Sequence, residues 1–160
     1  MREVAKHLST HAMTNYTDGA AELFIKSACN RYYYYVYLTL RDEAYNLLDR
    51  TIKFEHGSKC AKAINGTYKQ SIKRKLDISD SEIFEALVSD LIKRFTTLYD
   101  IREEADYSAP TVTITSSDAK INFHKKSKNH EYFLSDIENR VDEIVHIINL
   151  LSSYRIMAGC

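Results

Sequence analysis

The sequence predicts an all-α fold: a bundle of four or five helices with an extended loop or small hairpin before the last one. Three observations lead there. Proline occurs once (Pro110) and glycine four times (Gly19, Gly57, Gly66, Gly159), so little interrupts a helix. Apolar residues recur at three- and four-residue steps through several long segments, the period of a helix face. The one strand-like segment read from the sequence, Thr111–Thr115, has no obvious partner elsewhere. The 160 residues suit a single domain, taken as 1–160, and a chain of this size buries roughly 70% of its unfolded surface.

Residues 2 to 13 form a short first helix, with Val4, Leu8 and Met13 on one side. Asn15 to Gly19 reads as a turn, and Thr17 or Asp18 can cap the second helix. That long helix covers residues 20 to about 49, through Leu23, Phe24, Ala28, Tyr32, Tyr35, Leu38, Ala44, Leu47 and Leu48. The run Tyr32–Tyr37 favours strand by propensity, but it sits in an unbroken helical pattern without turn residues. Aromatics on all sides suit a central helix. After a break at Lys53–Gly57, a third helix runs from Ser58 to Lys75, with Cys60, Ile64, Tyr68 and Ile72 stepping by four and Gly66 as a weak point. Asp77 to Asp80 turns the chain, and Ser79-Asp-Ser-Glu82 matches a capping box. The fourth helix carries Phe84, Leu87, Leu91, Phe95 and Leu98 and runs to about Ala105. Pro110 disfavours helix at Ala109, and Thr111–Thr115 alternates like a strand without an obvious partner. Residues of about 108–129 therefore read as an insertion-like loop or hairpin arm. The last helix spans about 130 to 153, where Leu134, Ile137, Val141, Ile144, Ile148 and Leu151 make a heptad seam, either core or dimer contact.

Composition limits function. The 22 basic and 22 acidic residues cancel, so any surface for RNA is a local patch. The N-terminal stretch is mixed polar and apolar, and no run approaches the ~18 apolar residues of a membrane span. The expectation is a cytoplasmic protein with no membrane partner. Cys29, Cys60 and Cys160 lack metal-finger spacing and read as small hydrophobes in a reducing compartment. No HExxH, Walker A or GxGxxG pattern occurs, and neither metal nor cofactor is expected.

The chemistry candidates start with Arg102. It continues the apolar face of the fourth helix four residues after Leu98, and Asp106 lies one turn later. A charge on a buried face must be paired or engaged by a ligand. This helix end therefore carries a structural ion pair or a site. Tyr99 lies one turn before Arg102 and Tyr107 closes the segment. His56, in Glu55-His-Gly57, is placed to act as a base or to bond a helix start. Arg31 precedes the tyrosine run and can stack or pair. Lys73 and Arg74, with Lys69 and Lys75, end the third helix, and Lys120, Lys125, Lys126 and Lys128 lie in the late loop. Each group suits a phosphate backbone or a solvated face.

Three of these segments together resemble a known family. Ala28-Cys-Asn-Arg31-Tyr-Tyr-Tyr-Tyr is similar to the A-x-N-R-x-Y-Y opening of the second helix in HEPN domains (higher eukaryotes and prokaryotes nucleotide-binding). Glu55-His-Gly57 resembles the H-G that starts their third helix, and Leu98–Tyr107 resembles the L-x-x-x-R-x-x-A-D-Y signature of the small stand-alone subgroup. The resemblance covers roughly residues 20 to 110. It implies a helical bundle that usually forms a homodimer. Many such domains are metal-independent endoribonucleases or toxins in toxin–antitoxin and antiphage defence systems. Others bind nucleotides, or serve as non-catalytic partners of an antitoxin or nucleotidyltransferase. The resemblance implies that Arg102 stabilises charge on a phosphate, that His56 or Tyr107 handles the 2′-hydroxyl proton, and that Asp106 orients Arg102. Arg31, Tyr99, Lys73 and Arg74 would then contact RNA. Active members carry a histidine four to six residues after the arginine; here that place holds Tyr107, whose type titrates near 10 rather than about 6.5. Arg50 and His56 satisfy the spacing too, at the end of the second helix.

Overall fold

The computed structural model describes residues 1–14, 20–47, 57–108, 110–115, 117–125 and 128–160. These are mostly helical, with one small antiparallel sheet. The order is α1 (Arg2–Thr14), α2 (Ala20–Leu47), α3 (Ser58–Ala63), a π-helical segment (Ile64–Tyr68), α4 (Lys69–Lys73), α5 (Ile78–Tyr107), β1 (Pro110–Ile114), β2 (Ala119–Lys125), β3 (Lys128–Phe133) and α6 (Leu134–Met157). The residues fall into two compact units, Met1–Tyr35 with Leu98–Val141 and Val36–Thr97 with Asp142–Cys160. No helix among the described residues is long and apolar enough to cross a membrane.

In the first unit, α1 buries Ala5, Ser9 and Ala12, a face of small residues, while Val4 stays half exposed. The expected side of Val4, Leu8 and Met13 is thus displaced around the helix. Ser9 Oγ donates to the Ala5 carbonyl at 3.0 Å and lies 3.4 Å from the hydroxyl of Tyr32. That hydroxyl donates to Glu138 of α6, and burial foremost raises its pKa. Tyr32 and Tyr33 are buried, so packing overrides the strand propensity of their run, whereas Leu23 is exposed.

The segment expected as a loop or hairpin is a three-stranded meander, ordered β1-β2-β3. Val112 pairs with Ile121 and Phe123 with His130. Ala119, Ile121 and Phe123 alternate with Lys120 and Asn122 and are buried, which gives β2 the two-residue period of a half-buried strand. The last helix begins at Leu134 rather than near 130, because β3 occupies the intervening residues. Asp118, in the β1–β2 turn, accepts from the Ser135 backbone N–H and hydroxyl and so caps α6 from a distance. Glu104 of α5, only 2% exposed, meets His130 Nδ1 of β3 at 2.7 Å; its other oxygen has no partner among the described residues.

In the second unit, Cys60, Ile64, Tyr68 and Ile72 are all buried. Four residues overshoot an α-helical turn by about 40°, so a strict step of four should drift off the core. The π-helical segment prevents this. Its bonds run from i to i+5 and it holds more residues per turn, so the middle step turns back part of what the outer two overshoot. Gly66, the weak point of the sequence, lies inside it. The expected capping box at Ser79 is replaced by an earlier start, where Asp77 Oδ1 accepts the Asp80 N–H at 2.9 Å. After α6, the N–H groups of Gly159 and Cys160 bond the Ile156 and Arg155 carbonyls, a Schellman stop that uses the positive φ of Gly159. The seam residues, Leu134, Ile137 and Val141 of the first unit and Ile144, Ile148 and Leu151 of the second, are buried in the single chain, so they are core.

The second unit also buries a charge pair. Arg155 Nε donates to Glu43 Oε1 at 2.7 Å, and the Tyr68 hydroxyl donates to the same oxygen at 2.8 Å. Burial foremost, then the Glu43 charge, raises the tyrosine's pKa. Removing the arginine strands a buried carboxylate. Arg155→Ala is expected to lower stability by about 3 kcal/mol, read from urea unfolding. Burial pushes the Cys29 and Cys60 thiols up to about 12. At pH near 8, iodoacetamide should therefore label native protein at the partly exposed Cys160 and spare the other two. The same raised values favour the folded state fully below about 8.5, the ordinary thiol value. That contribution should fade as pH climbs toward 12, which alkaline unfolding curves of Cys→Ala variants will check.

Candidate anion-binding site

The polar end of α5 lies in the first unit. The buried stripe of α5 runs Phe84, Val88, Leu91, Phe95, Leu98, Ile101 and Ala105. Leu87 is half buried, and after Leu98 the stripe continues through Ile101, so Arg102 sits on its flank rather than at its centre. This is why a guanidinium fits here: its side chain remains 20% exposed. The i, i+4 pair forms, with Arg102 Nη2 at 2.6 Å from Asp106 Oδ2.

A third residue closes the network. Asn30 of α2 accepts from Arg102 Nε at 3.2 Å through Oδ1 and donates from Nδ2 to Asp106 Oδ1 at 2.6 Å. Asn30 thus bridges both members of the ion pair, and its amide orientation is set by their opposite needs. Beneath them, the Arg102 guanidinium lies 6.0 Å from the ring centre of Tyr33. The Tyr33 and Tyr99 rings are 5.8 Å apart. The Tyr99 hydroxyl donates to Glu103 at 3.0 Å, and that bond foremost raises its pKa, so it remains a neutral donor.

The bonds to Asn30 and Asp106 occupy one edge of the guanidinium, Nε and Nη2. Nη1 has no hydrogen-bond partner among the described residues. The Nη1–Nη2 edge therefore keeps its parallel N–H groups for a ligand, and that fork matches the oxygens of a phosphate or carboxylate.

Of the residues expected at the site, the structure joins Arg102 and Asp106 and places Tyr99 one turn away. Tyr107 is 81% exposed. Arg31 is exposed too, and its Nη1 lies 3.9 Å from Met1 Sδ. Lys73 and Arg74 belong to the other unit, where Lys73 pairs with Glu85. His56 and Arg50 lie outside the described residues. Asn30 and Tyr33 were not anticipated as site residues, although both fall inside the Ala28–Tyr35 motif. Among the described residues, no group of three or more His, Cys, Asp or Glu side chains is arranged to hold a metal ion.

Compared with protein-family models, with curated proteins and with solved structures, the chain matches none.

Asn30→Ala removes an acceptor and a donor at once and is expected to cost about 1–2 kcal/mol in chemical unfolding. Asn30→Asp keeps the acceptor for Arg102 but sets a carboxylate against Asp106. It should be more destabilising at neutral pH than at about pH 5, where shared protonation relieves the repulsion.

Proposed function

We propose that this chain is an RNA-acting protein of the HEPN kind, a metal-independent endoribonuclease or toxin of a toxin–antitoxin or antiphage defence system, with Arg102 as its phosphate contact. The observation that carries the reading is the held guanidinium with one free edge. A side chain fixed in advance loses little freedom on binding and stabilises charge where it develops on a phosphate. The HEPN-like order of Arg31, His56 and Arg102 supports the same reading from the sequence. In it Asp106 orients Arg102, and His56 or Tyr107 takes the 2′-hydroxyl proton. The protein would act in the cytoplasm as a homodimer, beside a cognate antitoxin or nucleotidyltransferase.

A second reading has its own support. Asp106 already neutralises Arg102 at 2.6 Å, and an exposed tyrosine, Tyr107, stands where the resemblance would place a histidine. The compensated charge of Arg102 favours a non-catalytic module that binds a nucleotide or a partner protein.

One variant separates the two. If the chain is a ribonuclease, Arg102→Ala should keep its helical circular dichroism and lose RNA cleavage by a factor on the order of 10² or more. Cleavage at the wild-type rate would overturn Arg102's role. A wild-type protein that binds RNA and never cuts it would establish the non-catalytic reading.

A further inference from the structure

The pairs Asn30 with Arg102 and Asp106, and Tyr33 with Tyr99, show that α2 and α5 run antiparallel through the site. One helical turn before Asn30 on α2 is Lys26, whose carbonyl accepts from Asn30 Nδ2 at 3.3 Å. Residues four apart share a helix face. Lys26 is therefore on the Asn30 face, and the antiparallel run sets it toward the last turn of α5, beyond Asp106. Lys26 is half buried, and no carboxylate pairs with it among the described residues. Arg31, by contrast, is one residue past Asn30 and so about 100° around the helix from it.

Asp106 offsets Arg102, and Lys26 adds a cation with no carboxylate at ion-pair distance among the described residues. A half-buried, unpaired ammonium gains from an anion beside it. We propose that Lys26 and the free edge of Arg102 form a two-point clamp for a single phosphodiester of single-stranded RNA. This deepens the proposed RNA-acting role of Arg102 and rests on it. A phosphodiester carries one negative charge, which matches the single charge of Lys26. Asp106 beside the clamp works against a doubly charged terminal phosphate. Lys26 is a binding and positioning residue and takes no proton in the reaction.

The test is fluorescence anisotropy with labelled 2′-O-methyl oligouridine, which lacks the attacking hydroxyl and remains uncut. Lys26→Gln is expected to weaken binding by roughly fivefold at moderate salt and to reduce the log–log salt slope by about 0.7, the loss of one phosphate contact on a single strand. Lys26→Arg should restore the slope, and Lys93→Gln, an exposed control on α5 in the other unit, should leave it unchanged. Wild-type affinity and slope in Lys26→Gln, with its melting temperature intact, would overturn the clamp and leave the RNA reading standing. No measurable binding by the wild type would remove both. Addition of a 5′-terminal phosphate should not tighten binding; a gain of tenfold or more would overturn the single-charge selection.

Discussion

One requirement recurs within each unit: the apolar face of its part of α5 must be covered. Seven of the helix's apolar positions, from Phe84 to Ala105, are buried, four of them in the second unit and three in the first. Burial of this kind contributes about 25 cal/mol per Å² of apolar surface, which over seven side chains far exceeds any single polar contact in the molecule. The polar residues of α5 are tolerated where they interrupt that face least. Arg102 lies on its flank, where water and two polar partners share its charge. Glu104 lies deeper, and His130 is the one partner described for it.

Much of the helical architecture was legible in the sequence, because a helix needs only local periodicity. The seam from Leu134 to Leu151 and the stripe from Phe84 to Leu98 are buried as their spacing implies, Leu87 excepted. The sheet was harder to read. In β2 the alternation of Ala119, Ile121 and Phe123 is clear once seen, but the lysine and asparagine between them are weak strand formers. In β3 no apolar alternation exists, and the strand forms through its pairing with β2. Such pairing is a long-range property that a local pattern does not carry. The capping box failed for a simpler reason: Asp77, two residues earlier, is as good a cap as Ser79.

The same division holds at the site. The Arg102–Asp106 pair was readable, since i and i+4 on one helix meet wherever that helix goes. Asn30 was not, because its contribution depends on which side of α2 meets α5. A helix with Tyr32, Tyr33, Tyr34, Tyr35 and Tyr37 in succession presents aromatics in every direction, so its sequence does not announce its facing side. Arg31 stood out as a charge among aromatics, yet its neighbour Asn30 makes the contact. For the same reason Lys26 became visible only when the direction of α2 against α5 was known.

The π-helical segment Ile64–Tyr68 has an evolutionary side. A stretch that holds one residue too many for regular α turns is one way for a helix to accept an insertion without displacing what flanks it. Here the surplus residue is absorbed within one turn, and Cys60 before it and Ile72 after it both stay buried. The helix from Ser58 to Lys73 thus keeps two sets of core anchors whose mutual register is set by backbone bonding rather than by sequence spacing. Relatives shorter by one residue in this turn would be able to keep the same core, with a straight α-helix in place of the bulge.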